Sequence, residues 1–125
     1  VNVLLDTHVA LWWLVDPDVL SEQARDVIGD GGNRVVLSAA SVWEAAIKVA
    51  AGRLSMPETF DEAAEAVGIE SLPISARHAR RAAELPPLHR DPFDRMLVAQ
   101  AVEEGLVIVT RDARVRQYAV ATLPG

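Results

Sequence analysis

Four carboxylates in this chain stand where an enzyme would be expected to place them. Asp6 follows the apolar run Val3-Leu4-Leu5, and Glu44 lies in Ser41-Val42-Trp43-Glu44. Asp94 lies in Asp91-Pro92-Phe93-Asp94-Arg95, and Asp112 in Thr110-Arg111-Asp112. Each falls where a strand is expected to end or a helix to begin. In open α/β sheets, functional groups gather beyond the carboxyl ends of the strands. Four acids brought together there raise one another's pKa unless a counter-charge is present. A hard divalent cation supplies that charge and prefers oxygen ligands. The chemistry implied is metal-assisted hydrolysis of a phosphodiester. No Ser-His-Asp or Cys-His arrangement competes with it. His8, His78 and His89 are scattered and match no metal spacing, so His89 reads as a loop residue rather than an acid–base catalyst.

The elements that must position these acids follow from local pattern. Val1–Leu5 reads as a short buried strand, aliphatic with no helical period. Thr7–Val15 reads as a helix stopped by Asp16-Pro17. Ser21–Asp30 is a second helix with Ser21 as N-cap, and Val35–Leu37 the next buried strand. A helix over Ser41–Ala51 closes at Gly52, expected in the left-handed conformation. Thr59–Val67 is a short acidic helix, Ile69–Ile74 a strand, and Ser75–Leu85 an Arg-rich helix ended by Pro86-Pro87. Asp91 caps a helix with Pro92 at its first position, running to Glu104 and ending at Gly105. Leu106–Val109 is a buried strand and Ala119–Leu123 a short edge strand. Strands alternating with helices imply a mostly parallel sheet covered on both faces.

Each acid also has an ordinary structural use. Asp6 suits the N-cap of the helix opening at Thr7. Ser41 with Glu44 fits a capping box, and Glu44 with Lys48 an i,i+4 ion pair, together worth roughly 0.5–2 kcal/mol. Asp112 suits a turn. Asp94 is the exception. Its helical face continues through Leu97, Val98 and Ala101, which must point at the core, and a carboxylate on that stripe needs a partner. Because Asp91 already caps the helix, a metal fits Asp94 better than a cap does.

Composition bounds the rest. At 125 residues the chain is expected to be one domain, residues 1–125. With no cysteine there is neither disulfide nor thiolate metal site, which suits a reducing cytosol. The longest apolar run, Val9–Val15, is too short to span a bilayer, and no basic stretch precedes a hydrophobic one at the N-terminus. A cytoplasmic protein without a membrane partner is therefore expected. The net charge of −6 hides an asymmetry: residues 1–70 carry 12 acids and 4 bases, residues 71–125 carry 6 acids and 8 arginines. Arg77, Arg80, Arg81, Arg90 and Arg95 form a group that could be a phosphate-binding rim or simply a solvated helix face. Arg77, Arg80 and Arg81 are spaced i, i+3, i+4 and can share a face.

With those residues placed, the chain resembles the PIN-domain family, and within it the VapC toxins of VapBC toxin–antitoxin modules. The resemblance runs nearly end to end. It rests on Leu4-Leu5-Asp6-Thr7-His8, on SVWEAAIK at Ser41–Lys48 with Gly52-Arg53-Leu54, and on Leu85-Pro86-Pro87-Leu88-His89. The most specific block is DPFDRMLVAQA at Asp91–Ala101, followed by Val109-Thr110-Arg111-Asp112. The resemblance implies a three-layer α/β/α fold and an Mg²⁺- or Mn²⁺-dependent ribonuclease acting on RNA. It maps the catalytic and metal site onto Asp6, Glu44, Asp94 and Asp112, with Thr110 nearby as ligand or positioning group. It also implies a homodimer and a VapB-type antitoxin that wraps the toxin and blocks the site. Trp12 and Trp13 lie on a helix apolar nearly all round, and either one of them contributes to an antitoxin-binding groove or both indoles are simple core.

Two other readings compete. A phospho-acceptor receiver module is also a small α/β protein with clustered acids, but it needs a lysine near the end of a late strand. The lone lysine here, Lys48, is mid-chain. A catalytically silent interaction module would keep the fold without needing the complete acid set.

Overall fold

The structure is a computed structural model that describes residues 1–56 and 59–125. Five short strands, β1 (Asn2–Leu5), β2 (Arg34–Ser38), β3 (Glu70–Leu72), β4 (Val107–Thr110) and β5 (Thr122–Pro124), form one sheet in the order β3-β2-β1-β4-β5. Every pairing is parallel, with Leu4 opposite both Val36 and Ile108. Parallel strands need crossovers, and among the described residues six helices supply all but the last: α1 (Thr7–Val15), α2 (Glu22–Gly29), α3 (Ala39–Ala50), α4 (Phe60–Ala66), α5 (Ala76–Glu84) and α6 (Pro92–Glu104). Single 3₁₀ turns at Pro17–Val19 and Val115–Gln117 had no distinct signal in the sequence.

Alternation along the strands sorts the core into two layers. Val3, Leu5, Val35, Leu37 and Val109 face α1, α2 and α4 through Val9, Ala24, Ile28, Phe60 and Ala64. Leu4, Val36 and Ile108 face the other way, onto Leu97, Val98 and Ala101 of α6 and onto Tyr118. The three-layer α/β/α arrangement is the expected one, and the sheet is wholly rather than mostly parallel among the described residues.

Boundaries moved where punctuation was ambiguous. β3 stops at Leu72 because Pro73 has no N–H to continue the ladder. β5 begins at Thr122, later than Ala119, since the chain is still leaving the Val115–Gln117 turn at that point. The larger correction is at α3. Its N-cap is Ser38, whose hydroxyl accepts from the Ala40 N–H, so the Ser41–Glu44 capping box does not form. Gly52 and Gly105 adopt the expected left-handed conformation, φ +72° and +66°.

The strand order also locates a crevice. From β1 the chain adds β2 and then β3 on one side, and later β4 and β5 on the other. The switch point lies between β1 and β4, whose carboxyl ends carry Asp6 and Asp112. Ligands of open α/β sheets bind at such a point. A receiver-type sheet, ordered 2-1-3-4-5, would instead place β3 next to β1.

Candidate active site

A cleft of about 400 Å³ opens at that switch point, and Asp6, Glu44, Asp94 and Asp112 all line it together with Asp91. Four elements deliver them: the end of β1, the second turn of α3, the first turn of α6 and the loop after β4. Residues far apart in sequence thus share one site, as the acid pattern implied.

Asp6 does two jobs. As N-cap of α1 it accepts from the His8 N–H, and its Oδ2 accepts from the Thr110 hydroxyl at 2.6 Å. The same Thr110 oxygen accepts from the Asp112 N–H at 3.0 Å, so one hydroxyl ties two site loops together. Burial pushes Asp6 above the ordinary carboxylate value, with the hydrogen bonds from Thr110 and His8 opposing it. Freed from the capping box, Glu44 is held by Lys48 at 3.5 Å, the expected i,i+4 pair. Burial raises Asp112 too, but donation from the Arg114 side chain and backbone outweighs it and leaves Asp112 below its usual range.

Asp94 lies at the third position of α6, where Asp91 caps the helix by accepting from Phe93 N–H and Asp94 N–H. Burial pushes its carboxyl up to about 6, with the His89 hydrogen bond opposing and Asp91 and Asp6 adding to the rise. The partner that the buried stripe required is therefore a side chain of this chain: His89 Nε2 lies 2.8 Å from Asp94 Oδ2. His89 is in a loop, as read, but it is buried and forms with Asp94 and Asp112 a group close enough to hold a metal ion. The signal for it was present, a histidine five residues before an acid whose face had to be satisfied.

The cationic expectations fared unevenly. Of Arg77, Arg80, Arg81, Arg90 and Arg95, none lines the cleft itself; Arg90 lines an adjoining hollow with Lys48, Arg53 and Phe93. Arg77 and Arg81 do share a face, and Glu103 takes it at 3.8 and 2.7 Å. Arg95 does not fit a solvent-facing rim, because its guanidinium is turned inward onto carbonyls of Ala82, Leu85 and Pro86. The bases in the cleft wall are Lys48, Arg111 and Arg114, which charge counting did not single out. Arg111 is pinned by the carbonyls of Gly125 and Val19 and stacks 4.6 Å from the Trp12 ring.

Trp12 lines the cleft, whereas Trp13 packs against the core beside Gly29, so the two indoles do not form one surface. The exposed tryptophan is Trp43, 63% accessible, edge-on to Phe93 at 5.3 Å.

Three comparisons bear on this arrangement. The chain belongs to the PIN domain family, which it matches over residues 3–121. It is 35% identical to Ribonuclease VapC22 of Mycobacterium tuberculosis (strain ATCC 25618 / H37Rv), covering 94% of this chain and 92% of that protein. In fold it is similar to the solved VapBC2 of Rickettsia felis bound to promoter DNA, with TM-score 0.74, 13% identity and 99% and 98% of the two chains covered. It is also similar to VapBC-5 of Mycobacterium tuberculosis, a member of the VapBC family of toxin–antitoxin systems, with TM-score 0.65, 17% identity and 99% and 98% covered. Family membership and strand order together set aside the receiver reading.

Proposed function

We propose that this chain is a metal-dependent endoribonuclease of VapC type, the toxin of a toxin–antitoxin pair, hydrolysing RNA phosphodiester bonds at the Asp6–Glu44–Asp94–Asp112 cleft. The observation that carries the reading is the convergence of four acids from four elements on one crevice, with Asp6 and Asp94 both raised by burial. Five acids line the cleft against the bases Lys48, Arg111 and Arg114, and that excess of carboxylate oxygens fits a hard cation such as Mg²⁺ or Mn²⁺. Asp6 and Asp94 would be its main ligands, with Glu44 and Asp112 completing the set directly or through water. When bound, such an ion lowers the pKa of a water and offsets charge on the scissile phosphate.

The chain's own residues do the positioning. Thr110 fixes one face of Asp6 and the start of the Asp112 loop. Lys48 holds Glu44, and Arg114 holds Asp112 at 3.3 Å. Arg53 and Arg90, which line the adjoining hollow, are the bases we assign to the RNA backbone, with Lys48 and Arg114 beside them already paired to site acids. A catalytically silent module would gain nothing from keeping every acid in the cleft.

The partners follow from surface chemistry. Exposed Trp43 and Ile47, with the half-buried Phe93 edge-on to Trp43, form an apolar patch beside the cleft, and we assign it to a homodimer contact. A VapB-type antitoxin segment entering the cleft would touch Trp12. No helix among the described residues is long and apolar enough to cross a membrane.

The test is direct. Purified protein freed of antitoxin should cut RNA with Mg²⁺ or Mn²⁺ and stop with EDTA, and Asp94→Asn and Asp6→Asn should each abolish cleavage while circular dichroism stays native. Undiminished cleavage by either variant would sink the assignment.

A further inference from the structure

The loop before α6 is built more firmly than a connector requires. Pro86 and Pro87 stiffen it, and the Leu88 N–H turns back onto the Pro86 carbonyl at 2.8 Å. Arg95, one residue after Asp94, then ties it down from below. Its Nη2 donates to the carbonyls of Ala82 at 2.8 Å and Leu85 at 3.0 Å, and its Nη1 to the carbonyl of Pro86 at 3.0 Å. Nη1 also donates to the Tyr118 hydroxyl at 3.2 Å. Tyr118 is 4% exposed, and its hydroxyl accepts from the His89 N–H at 3.0 Å. An arginine whose donors are spent on its own chain, and a buried tyrosine aimed at one backbone amide, converge on a single residue.

That residue carries the ring that meets Asp94. An ionised carboxylate only accepts, so His89 Nε2 must carry the proton and donate to Oδ2. The donation restrains rotation of the carboxylate of Asp94, a residue that lines the cleft, and leaves Oδ1 outside that bond. We infer that His89 is a positioning residue for Asp94, and that Arg95 and Tyr118 form a clamp whose purpose is to hold His89 in place. His89 is not itself a ligand in this scheme: its Nε2 is committed to Asp94, and hard cations favour oxygen over imidazole. The inference rests on the metal-site reading above and names what makes that site rigid.

Partners that orient a metal's ligands typically change its affinity by 10–100-fold when removed. The experiment is Mn²⁺ titration of the purified chain without RNA, by calorimetry and by loss of the free-ion spin-resonance signal. His89→Ala should weaken Mn²⁺ binding about 10-fold or more, and His89→Gln, whose amide nitrogen can replace Nε2, should recover most of that loss. Tyr118→Phe keeps the ring packing but drops the hydroxyl, and should weaken Mn²⁺ binding by a smaller factor. If His89→Ala fails to fold, Tyr118→Phe and His89→Gln still decide the matter. Affinity within about twofold of native in His89→Ala, or in Tyr118→Phe, overturns the proposal, since oriented second partners are worth more than that. A directly coordinated nitrogen in the spin-echo spectrum of the Mn²⁺ form also overturns it, by making His89 a ligand. RNA cleavage is scored separately: a native chain that binds Mn²⁺ in this His89-dependent way yet leaves RNA intact upholds the clamp and refutes only the nuclease reading.

Discussion

Asp94 shows how one residue can be legible in need and illegible in solution. Its place on the stripe with Leu97, Val98 and Ala101 required a partner; His89 stands five residues earlier, but nothing periodic tells that a loop side chain turns back onto the helix, and a metal was the expected partner. The structure adds His89, and the carboxyl still sits at about 6 because burial outweighs that bond. The consequence for stability has a definite sign. A carboxyl raised from 3.8 to about 6 favours the fold while protonated, so its contribution is full below about pH 3.8 and is lost as pH rises through about 6. At neutral pH the buried Asp94 carboxylate therefore costs the metal-free fold stability, and a cation bound there, as proposed, would offset that cost. Asp94→Asn removes it. We expect the melting temperature of Asp94→Asn to rise relative to native between pH 5 and pH 7.5 by the equivalent of on the order of 1–2 kcal/mol. Added Mn²⁺ should stabilise the native chain more at pH 7.5 than at pH 5, and should do little for the variant. A pH-independent difference between the two proteins would mean that Asp94 titrates as an ordinary surface acid.

At the scale of elements, the alternation of strands and helices was legible because buried aliphatic runs and proline or glycine punctuation agree along the chain. What the pattern could not arbitrate was two serines three residues apart. Ser38 and Ser41 are both good caps, and the choice decides whether Glu44 is tied to its own helix end or released into the cleft. The structure caps α3 with Ser38 and uses Ser41 elsewhere: its hydroxyl accepts from the Thr7 hydroxyl at 2.8 Å, with both residues 1% exposed. That bond joins the first turn of α1, next to Asp6, to the turn of α3 that precedes Glu44. It sets the spacing of two acids carried by different elements. Removing one partner leaves a buried hydroxyl without its mate, at about 1–3 kcal/mol. Thr7→Val and Ser41→Ala should each destabilise by that order in urea. The double variant should cost less than their sum, with a coupling of roughly 1 kcal/mol. Both singles should also lower Mn²⁺ affinity, as Glu44 loses its distance to Asp6. Strict additivity in the cycle would show that the two hydroxyls merely lie side by side.

For the whole molecule, the question is how a chain of net charge −6 holds a polyanion. Counting by halves pointed to the arginines between Arg77 and Arg95, and the fold separates that group. Arg77 and Arg81 share the single carboxylate of Glu103, and Arg95 is enclosed by backbone carbonyls. Linear sequence shows how many charges a segment carries but not which already have partners, and those pairings count against the Arg77–Arg95 group as a phosphate track, whereas the four acids do line one cleft. Lys48 lines both the cleft, with Arg111 and Arg114, and the adjoining hollow, with Arg53 and Arg90. A bound divalent ion offsets part of the acidic floor, so backbone binding should depend on metal as well as on these bases. Each phosphate contact to a single strand contributes roughly 0.7 to the slope of log affinity against log salt. Arg90→Ala with Arg53→Ala, measured with Ca²⁺ in place of the catalytic ion, should weaken RNA binding and flatten that slope by between one and two units, leaving base preference almost unchanged. Arg80→Ala with Arg81→Ala should change the slope far less, because Arg81 is already paired across to α6. The reverse ranking, with the α5 pair dominating the salt dependence, would place the RNA over α5 and remove Arg53 and Arg90 from the track.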